Sequence, residues 1–308
     1  MKSLRPTRHQ LDVQARQMLE RISSMTPFKR RCVFRKHHKT THPEQGTFLY
    51  KFRPIKNGDT VDTVLTQRVR EILVESKLFL PSPASFNDPF DMTARMEFVG
   101  KPQEKRKRME QMVRRQEPSL GKRSREALIS DLMARDDIGS ADLLQWSHDV
   151  GREQSGVYCF AGDPRNVLMW SHYADRHKGI CIQFDRSQDV ELSFGTIPVD
   201  YEKESVLPTL NWTTDDAKEN LKSARTKAKI WSYEKECRLI KPEFARSTID
   251  INPRAVTGVI LGCRIDAEAR EIIRSLLDER RRNRLPDCVV WQAQMITGKP
   301  ELRIVCAR

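Results

Sequence analysis

The sequence predicts an α+β fold built on a mainly antiparallel β-sheet, with flanking helices and a helical insertion. Short β-branched and aromatic runs are interspersed irregularly with segments of helical periodicity, unlike the regular alternation of a doubly wound sheet. Only 13 of the 308 residues are glycine, and the glycine fingerprint of a dinucleotide-binding strand–turn–helix unit is absent. The charge is also distributed unevenly, which separates two basic segments from a nearly neutral body.

The first basic segment is residues 1–46, which carry 11 lysines and arginines against 3 acids. Helical spacing predicts a helix from His9 to Ser24, followed by a basic arm over Lys29 to Lys39. This segment is either a contact for nucleic acid or a membrane surface, or a solvated and poorly ordered terminus. We therefore expect one α+β domain over residues 47–308, preceded by this arm.

The second basic segment, residues 101–125, carries 10 lysines and arginines against 3 acids. It opens a helical insertion at about 101–153, which predicts two or three short helices interrupted at Pro118 and Gly121. Four residues give its second helix an apolar face for packing, namely Leu128, Ile129, Leu132 and Met133. The two basic segments together account for the net charge of +13. This charge therefore bears on the partners of those segments and says little about chemistry in the rest of the chain.

The body carries the predicted sheet and its helices. The predicted strands are Phe48–Phe52, Arg95–Val99, Gly156–Phe160, Ile180–Phe184, Thr196–Tyr201, Cys237–Ile240, Gly258–Gly262, Cys288–Gln292 and Leu302–Cys306. The predicted helices are Val61–Ser76, Asn166–Asp175, Thr214–Ile230 and Asp266–Arg284, the last with Ala269, Ile272, Ile273, Leu276 and Leu277 on one face.

Some classes of protein are excluded by composition and spacing. No apolar window approaches the length of a membrane span, and the first residues lack the apolar core of a secretory signal. The 7 cysteines form no CxxC pair, so we expect reduced thiols in a cytoplasmic protein. His172 and His177 are five residues apart rather than four, and no metal is predicted.

Two motifs suggest positions at the rim of a cleft. In the first strand, alternation places Tyr50 and Phe52 on one face and Lys51 and Arg53 on the other. Arg53 either recognises a phosphate at the sheet rim or is a solvated edge residue. In the run FNDPFD, Asn87 and Asp88 precede a proline and suit a structural turn, and the same loop is also a candidate to line a site.

Two further motifs carry polar chemistry. A helix around WSHYA would place Trp170, Tyr173 and His177 within one turn of each other and Ser171 beside Asp175, with His172 in the same helix. No hydrolase triad is inferred, because the elbow motif of such enzymes is absent. In an extended YEKECR segment, Glu234, Glu236 and Arg238 share one face. They form either an acid pair facing a cleft or an exposed strand with a Glu236–Arg238 ion pair.

The ordered motifs YKFR, L-x-x-P-x-x-FNDPFD, WSHYA, H-x-G-I-C-I-x-F and W-x-YExExR resemble the bacterial "domain of unknown function 2971" family over roughly residues 48 to 262. An early strand-end Arg, a middle hydroxyl and a late Glu-x-Glu more loosely resemble the Arg–Ser–Glu pattern of ADP-ribosyltransferases. This second resemblance implies a split-sheet core of that type and NAD as substrate.

The transferase resemblance also implies roles for single residues. Arg53 would hold the NAD phosphates or ribose, and Ser171 would take the middle position. Glu236 would bind the nicotinamide ribose while Glu234 orients the acceptor, and Tyr173 or Trp170 would stack on nicotinamide beside His172. Further candidates for the cleft are Tyr50, Asn87, Asp88 and Arg238.

The leading hypothesis is an NAD-consuming ADP-ribosyltransferase or NAD glycohydrolase, suited to a toxin or phage-defence effector. Its acceptor would be protein, nucleic acid or water, and residues 1–46 and 101–125 would contact a macromolecular acceptor. One alternative is a protein that binds or cleaves nucleic acid through its basic segments. Another is an interaction module without catalysis.

Overall fold

The structure, a computed structural model, describes residues 46–134, 137–202, 207–213 and 222–307, together with isolated positions between residues 17 and 36. Most of the predicted N-terminal helix and basic arm lie outside these residues. The α+β class is confirmed, because helices and several β-sheets are mixed along the chain.

The strands are mostly short. In chain order they are β1 (Phe48–Arg53), β2 (Lys56–Asn57), β3 (Thr60–Val61), β4 (Lys77–Leu80), β5 (Arg95–Glu97), β6 (Gly156–Phe160), β7 (Ile180–Asp185), β8 (Thr196–Pro198), β9 (Asp200–Glu202), β10 (Thr209–Asn211), β11 (Thr226–Ala228), β12 (Cys237–Lys241), β13 (Ser247–Asp250), β14 (Val256–Leu261), β15 (Val289–Met295) and β16 (Leu302–Cys306). The helices are α1 (Thr63–Leu73), α2 (Pro102–Gln116), α3 (Lys122–Ala134), α4 (Asp137–Gln154), α5 (Val167–Tyr173), α6 (Val190–Phe194), α7 (Lys222–Arg225) and α8 (Ala267–Arg282).

Two sheets form the centre of the molecule. The larger has five strands in the order β1-β7-β14-β15-β16, and the smaller has three in the order β6-β12-β8. Their strand pairs are antiparallel except for β14 with β15. The sheets are joined by an isolated bridge, in which Tyr50 N donates to Ala161 O at 3.0 Å and Ala161 N donates to Tyr50 O at 2.7 Å. The bridge places the end of β6 beside the middle of β1.

One face of the larger sheet is covered by α1 and α8. Asp62 and Asp266 accept hydrogen bonds from the first turns of these helices and so fix where each begins. The predicted apolar face of α8 is confirmed, because Ala269, Ile273, Leu276 and Leu277 are buried in the main core and Ile272 packs against it. The same core includes residues of α1, β7 and β14.

The helical insertion consists of α2, α3 and α4 and has an apolar core of its own. Met109 and Val113 of α2 pack with Ile129 and Leu132 of α3, and this cluster continues to Met96 of β5. Leu128 and Met133 are partly buried against it, so the predicted apolar face of α3 is confirmed. The insertion reaches the centre of the molecule through α4, which contacts the turn at Pro83–Ser85.

Several predicted elements are corrected by the structure. The helix predicted over Thr214–Ile230 is confirmed at Lys222–Arg225 and wrong after Arg225, because Thr226–Ala228 pairs with β9 as a parallel strand. The strand predicted over Thr196–Tyr201 is divided after Pro198, which has no N–H to continue the ladder. Strand β13, which pairs antiparallel with β4, was not predicted.

The turn after α5 approaches β1 closely. Asp175, Arg176 and His177 have φ values of 43°, 53° and 72°, so three consecutive residues adopt the left-handed conformation. At Gly179 a Cβ would lie 2.3 Å from Arg53 O, so only glycine fits where β7 begins beside β1. This turn holds α5 against the cavity described next.

Candidate functional site

A cavity of about 380 Å³ lies beside the bridge between the two sheets. One side is aromatic and is formed by Tyr50, Phe86, His172 and Tyr173. The other side carries ionisable groups from four separate segments, namely Lys51, Asp91, Lys227, Glu234 and Glu236. Its volume is within the range of small-molecule sites, and its aromatic lining with a few converging polar groups is typical of them.

The charged side of the cavity is an ion-pair network that is almost completely buried. Lys227 Nζ lies 2.7 Å from Glu234 Oε2, 3.1 Å from Glu236 Oε2 and 3.2 Å from Asp91 Oδ2. Arg238 has no exposed surface. Its Nε lies 2.7 Å from Glu236 Oε1, and its terminal NH₂ lies 2.7 Å from Asp91 Oδ1. Three carboxylates thus face two cations, leaving one negative charge in excess at the cavity wall.

The two glutamates reach the network from different local structures. Glu234 ends a 3₁₀ turn that begins at Lys229, Lys235 is left-handed with φ 46°, and β12 begins only at Cys237. The extended conformation predicted for this segment is therefore wrong at Glu234 and Lys235 and correct from Cys237 onward. The alternative of an exposed strand is wrong as well, because the Glu236–Arg238 ion pair exists but is buried. The left-handed residue turns both carboxylates towards Lys227.

Their surroundings move the pKa values of the two glutamates in opposite directions. Burial raises the pKa of Glu234, and the neighbouring Glu236 adds to this shift against the attraction of Lys227. Burial alone would also raise the pKa of Glu236, but Arg238 and Lys227 outweigh it and hold that pKa well below its usual range. Glu236 is therefore the firmly ionised member of the pair, and Glu234 is the better proton acceptor.

Lys51 lines the cavity from β1, with its Nζ donating to Cys159 O at 2.8 Å. Burial and the nearby Arg53 lower the pKa of Lys51 to about 8. The adjacent thiol of Cys159 is also in the cavity lining, and burial raises its pKa well above the usual value. The lysine is the titratable amine of this wall, whereas the thiol stays protonated at neutral pH.

Helix α5 supplies the aromatic side of the cavity. Asn166 caps its first turn by accepting from Leu168 N and Met169 N, which sets the direction of the helix. Tyr173, in its last turn, donates its hydroxyl to Glu234 Oε1 at 2.7 Å. Asn87 Nδ2 donates to the same hydroxyl at 3.3 Å. The FNDPFD loop and the WSHYA helix therefore meet directly over Glu234.

The structure brings together some of the predicted site residues and separates others. The cavity is lined by Tyr50, Asn87, His172, Tyr173, Glu234 and Glu236. Arg238 lies behind the wall, paired with Glu236. Asp88 accepts from Phe90 N in its turn and lines a different pocket of about 370 Å³, beyond Asp91 and Lys227.

Three predicted residues lie away from the lining. Trp170 is buried in the core, where it packs edge-on against Phe52 and donates Nε1 to Pro164 O. Ser171 is exposed and lies 3.1 Å from His177 Nε2. Arg53, which was predicted to meet the glutamates, lies with its guanidinium 5.8 Å from the centre of the Tyr158 ring, on the core side of β1.

Sequence reasoning missed the central lysine of the network and two of its neighbours. Lys227 lies in a segment predicted to be helical, where nothing indicated that it was buried. Asp91 ends the FNDPFD motif but was not singled out, although an acid at the end of an ordered turn is a candidate for pairing. Lys51 was assigned to the face of β1 opposite Tyr50, and the structure places both residues in the cavity lining.

No group of three or more His, Cys, Asp and Glu side chains is arranged to hold a metal ion in the part of the chain that the structure describes. None of the helices described is long and apolar enough to cross a bilayer.

Fold and site together define an α+β protein in which a buried carboxylate–cation network opens on an aromatic cavity at the junction of two sheets. A family model described as "Protein of unknown function (DUF2971)" matches residues 169–239. The match confirms the resemblance predicted from the motifs, and it spans the WSHYA helix through the Glu-x-Glu segment. Comparisons with curated proteins and with solved structures found no match.

Proposed function

We propose that the chain is an enzyme that breaks the bond between nicotinamide and ribose in NAD and passes ADP-ribose to water or to another acceptor. The observation that carries this proposal is the pair Glu234 and Glu236, whose pKa values are moved apart on one wall of an aromatic cavity. Two carboxyl groups with divided pKa values are typical of sites that cleave glycosidic bonds.

In the first step, the C–N bond to nicotinamide breaks and its electron pair goes to the ring nitrogen, which loses its positive charge. The ribose becomes an oxocarbenium-like cation. Glu236, ionised and held in place by Arg238, would stabilise that cation by its charge and by accepting a hydrogen bond from a ribose hydroxyl. The excess negative charge of the network acts in the same direction.

In the second step, an acceptor oxygen attacks the cationic carbon and loses its proton. Glu234 would take that proton, because its raised pKa makes it the more basic of the two glutamates. Tyr173 donates to Glu234 and fixes the carboxyl group at the cavity. Water as acceptor gives a glycohydrolase, and an acceptor on a macromolecule gives a transferase; either activity would suit a toxin or phage-defence effector.

Substrate positioning would come from the aromatic side of the cavity and from Lys51. Tyr173 and His172 offer rings for nicotinamide, together with Phe86. Lys51 replaces Arg53 as the cation for the phosphate next to the nicotinamide ribose in this proposal, since Lys51 lines the cavity and Arg53 does not.

The test is nicotinamide release from NAD by the purified chain and its variants. Replacing the ionised carboxylate in Glu236→Gln is expected to lower the rate about 100-fold or more. Glu234→Gln is expected to lower transfer and hydrolysis by removing the proton acceptor. The matched control is Glu271→Gln, which removes an exposed carboxylate of α8 that pairs with Arg274. Equal rates for wild type and Glu236→Gln, or no release in the presence of varied acceptors, would contradict the proposal.

Nucleic-acid binding is a second candidate, favoured by exposed basic side chains on and next to α2 that include Lys101, Arg106, Lys107 and Arg114. The measurement is the salt dependence of RNA and DNA affinity for the full chain and for a chain starting at Gly46. Affinity that falls steeply with salt supports this function, and binding without salt dependence rejects it. A folded chain that neither releases nicotinamide nor binds nucleic acid would favour the interaction module.

A further inference from the structure

A second recess lies on the five-stranded sheet, next to the cavity. It has a volume of about 540 Å³, and its lining includes Tyr50, Arg165, Gln183, Trp291, Arg303 and Ile304. Tyr50 lines both spaces. The two recesses are thus neighbours that share one aromatic wall.

The floor of the second recess is an apolar and aromatic surface on the sheet. Ile260 is buried beneath it, while Trp291 and Ile304 are only partly buried. Gly258 leaves room for the Trp291 ring and the Gln183 amide, because a Cβ at this position would lie 3.2 Å from Trp291 Nε1 and 3.0 Å from Gln183 Oε1. A partly exposed indole beside an amide suits a planar heterocycle that stacks and accepts hydrogen bonds.

The loop at residues 161–166 contributes to the lining of both recesses. Ala161 lines the cavity, whereas Pro164 and Arg165 line the second recess. Arg165 is 66% exposed, with Nε 3.4 Å from Asp163 Oδ1. Lys235 lies 3.6 Å from the other oxygen of Asp163, so the two cations outnumber the acid in this loop region. Arg303 and Glu301 stand at the far rim of the recess.

We propose that the second recess binds the adenosine half of the dinucleotide, with the pyrophosphate passing Tyr50 at Arg165. This inference rests on the proposed function, since it divides one substrate between the two recesses. A ligand with two ring systems joined by a doubly charged linker matches two neighbouring aromatic recesses with a cation on the loop that lines both. The cavity alone would take the nicotinamide ribose.

The test compares cleavage of NAD with cleavage of nicotinamide mononucleotide, which lacks the adenosine half. Trp291→Ala and Arg165→Gln are each expected to lower kcat/KM for NAD about tenfold. Both variants should leave kcat/KM for the mononucleotide within about twofold, because it does not reach the second recess. Trp146→Ala, which removes a tryptophan that is 63% exposed on α4, is the matched control and should change neither substrate. An equal loss with both substrates would overturn the inference.

Binding of ADP, followed by titration calorimetry, tests the recess without turnover. Arg165 is exposed at the surface, and its replacement by Gln keeps the aromatic floor intact. The Arg165→Gln variant can therefore be measured even where Trp291→Ala does not fold. An ADP affinity about tenfold weaker in Arg165→Gln than in the wild-type chain supports a binding site at the second recess. This holds even where the wild-type chain fails to cleave NAD, and in that case only the proposed function is contradicted. Cleavage of NAD together with ADP affinity unchanged in Arg165→Gln would overturn the recess and leave the proposed function standing.

Discussion

Lys227 and Lys51 line the same cavity, but their surroundings differ in charge. Three carboxylates surround Lys227, and although burial opposes its charge, Glu236, Asp91 and Glu234 raise its pKa. Lys51 has a carbonyl partner and the face of the Tyr158 ring, 4.7 Å from its Nζ to the ring centre. Burial lowers its pKa to about 8. Burial thus favours the neutral amine, and only nearby carboxylates reverse that preference.

The difference divides the cavity into a fixed wall and a titratable wall. On the network side, Lys227 and Arg238 hold the carboxylates in place, so Glu236 stays ionised. On the β1 side, Lys51 changes charge in a range that is close to neutral pH. In the proposed reaction, Glu236 would stabilise the cationic ribose, and Lys51 would bind the phosphate next to it.

The largest expected effect is that of Lys227→Met on stability. Removing this cation leaves the buried Glu234 without its ion pair and leaves Arg238 alone to balance Glu236 and Asp91, and we expect a loss of about 3–5 kcal/mol in the free energy of unfolding. Lys51→Met is the matched control and should cost about 1 kcal/mol or less, because its charge has no carboxylate partner within the network. Urea unfolding at pH 7 measures both values, and equal losses would remove the distinction between the two walls.

The difference in stability between the wild-type chain and Lys227→Met is expected to depend on pH in the acid range. Glu236 has a depressed pKa in the folded chain, so its stabilising contribution is present above the unfolded value of about 4.3 and is lost as the pH falls below it. Without Lys227 that depression is smaller. The stability deficit of Lys227→Met should therefore narrow below about pH 4, and a deficit that stays constant would contradict the network.

A smaller effect is expected from the titration of Lys51. Its folded pKa of about 8 lies below the unfolded value of about 10.4, so the unfolded chain binds more protons between these values. Wild-type stability should rise from about pH 8 to 10 relative to Lys51→Met. Parallel curves of stability against pH for the two proteins would show that the pKa of Lys51 is not lowered. Lys227 gives no such rise, because its raised pKa keeps its contribution in place throughout this range.

The parts of the fold that local patterns determine could be predicted from the sequence. The apolar stripe of α8, the helix cap at Asp266 and the buried strands β6 and β7 depend on residues close together in the chain. The segment 226–228 could not be predicted, because its extended conformation comes from pairing with β9. Its composition suits a helix, and a tertiary contact overrides that preference.

The candidate site shows the same division. Alternation correctly made Glu236 and Arg238 neighbours, but it did not predict the left-handed Lys235 or the burial of the ion pair. Burial here requires Asp91 and Lys227, which come from segments far apart in sequence. Charge balance over a buried cluster is a property of the assembled fold, so single motifs do not reveal it.

The most direct test of the account is a crystal structure of Glu236→Gln with NAD bound, since this variant retains the shape of the side chain while slowing cleavage. We expect the nicotinamide ring among Phe86, His172 and Tyr173, with the bond to ribose facing residues 234 and 236. The adenine should lie on Trp291. Nicotinamide bound outside the cavity, or an empty cavity at NAD concentrations that saturate the wild-type chain, would contradict it.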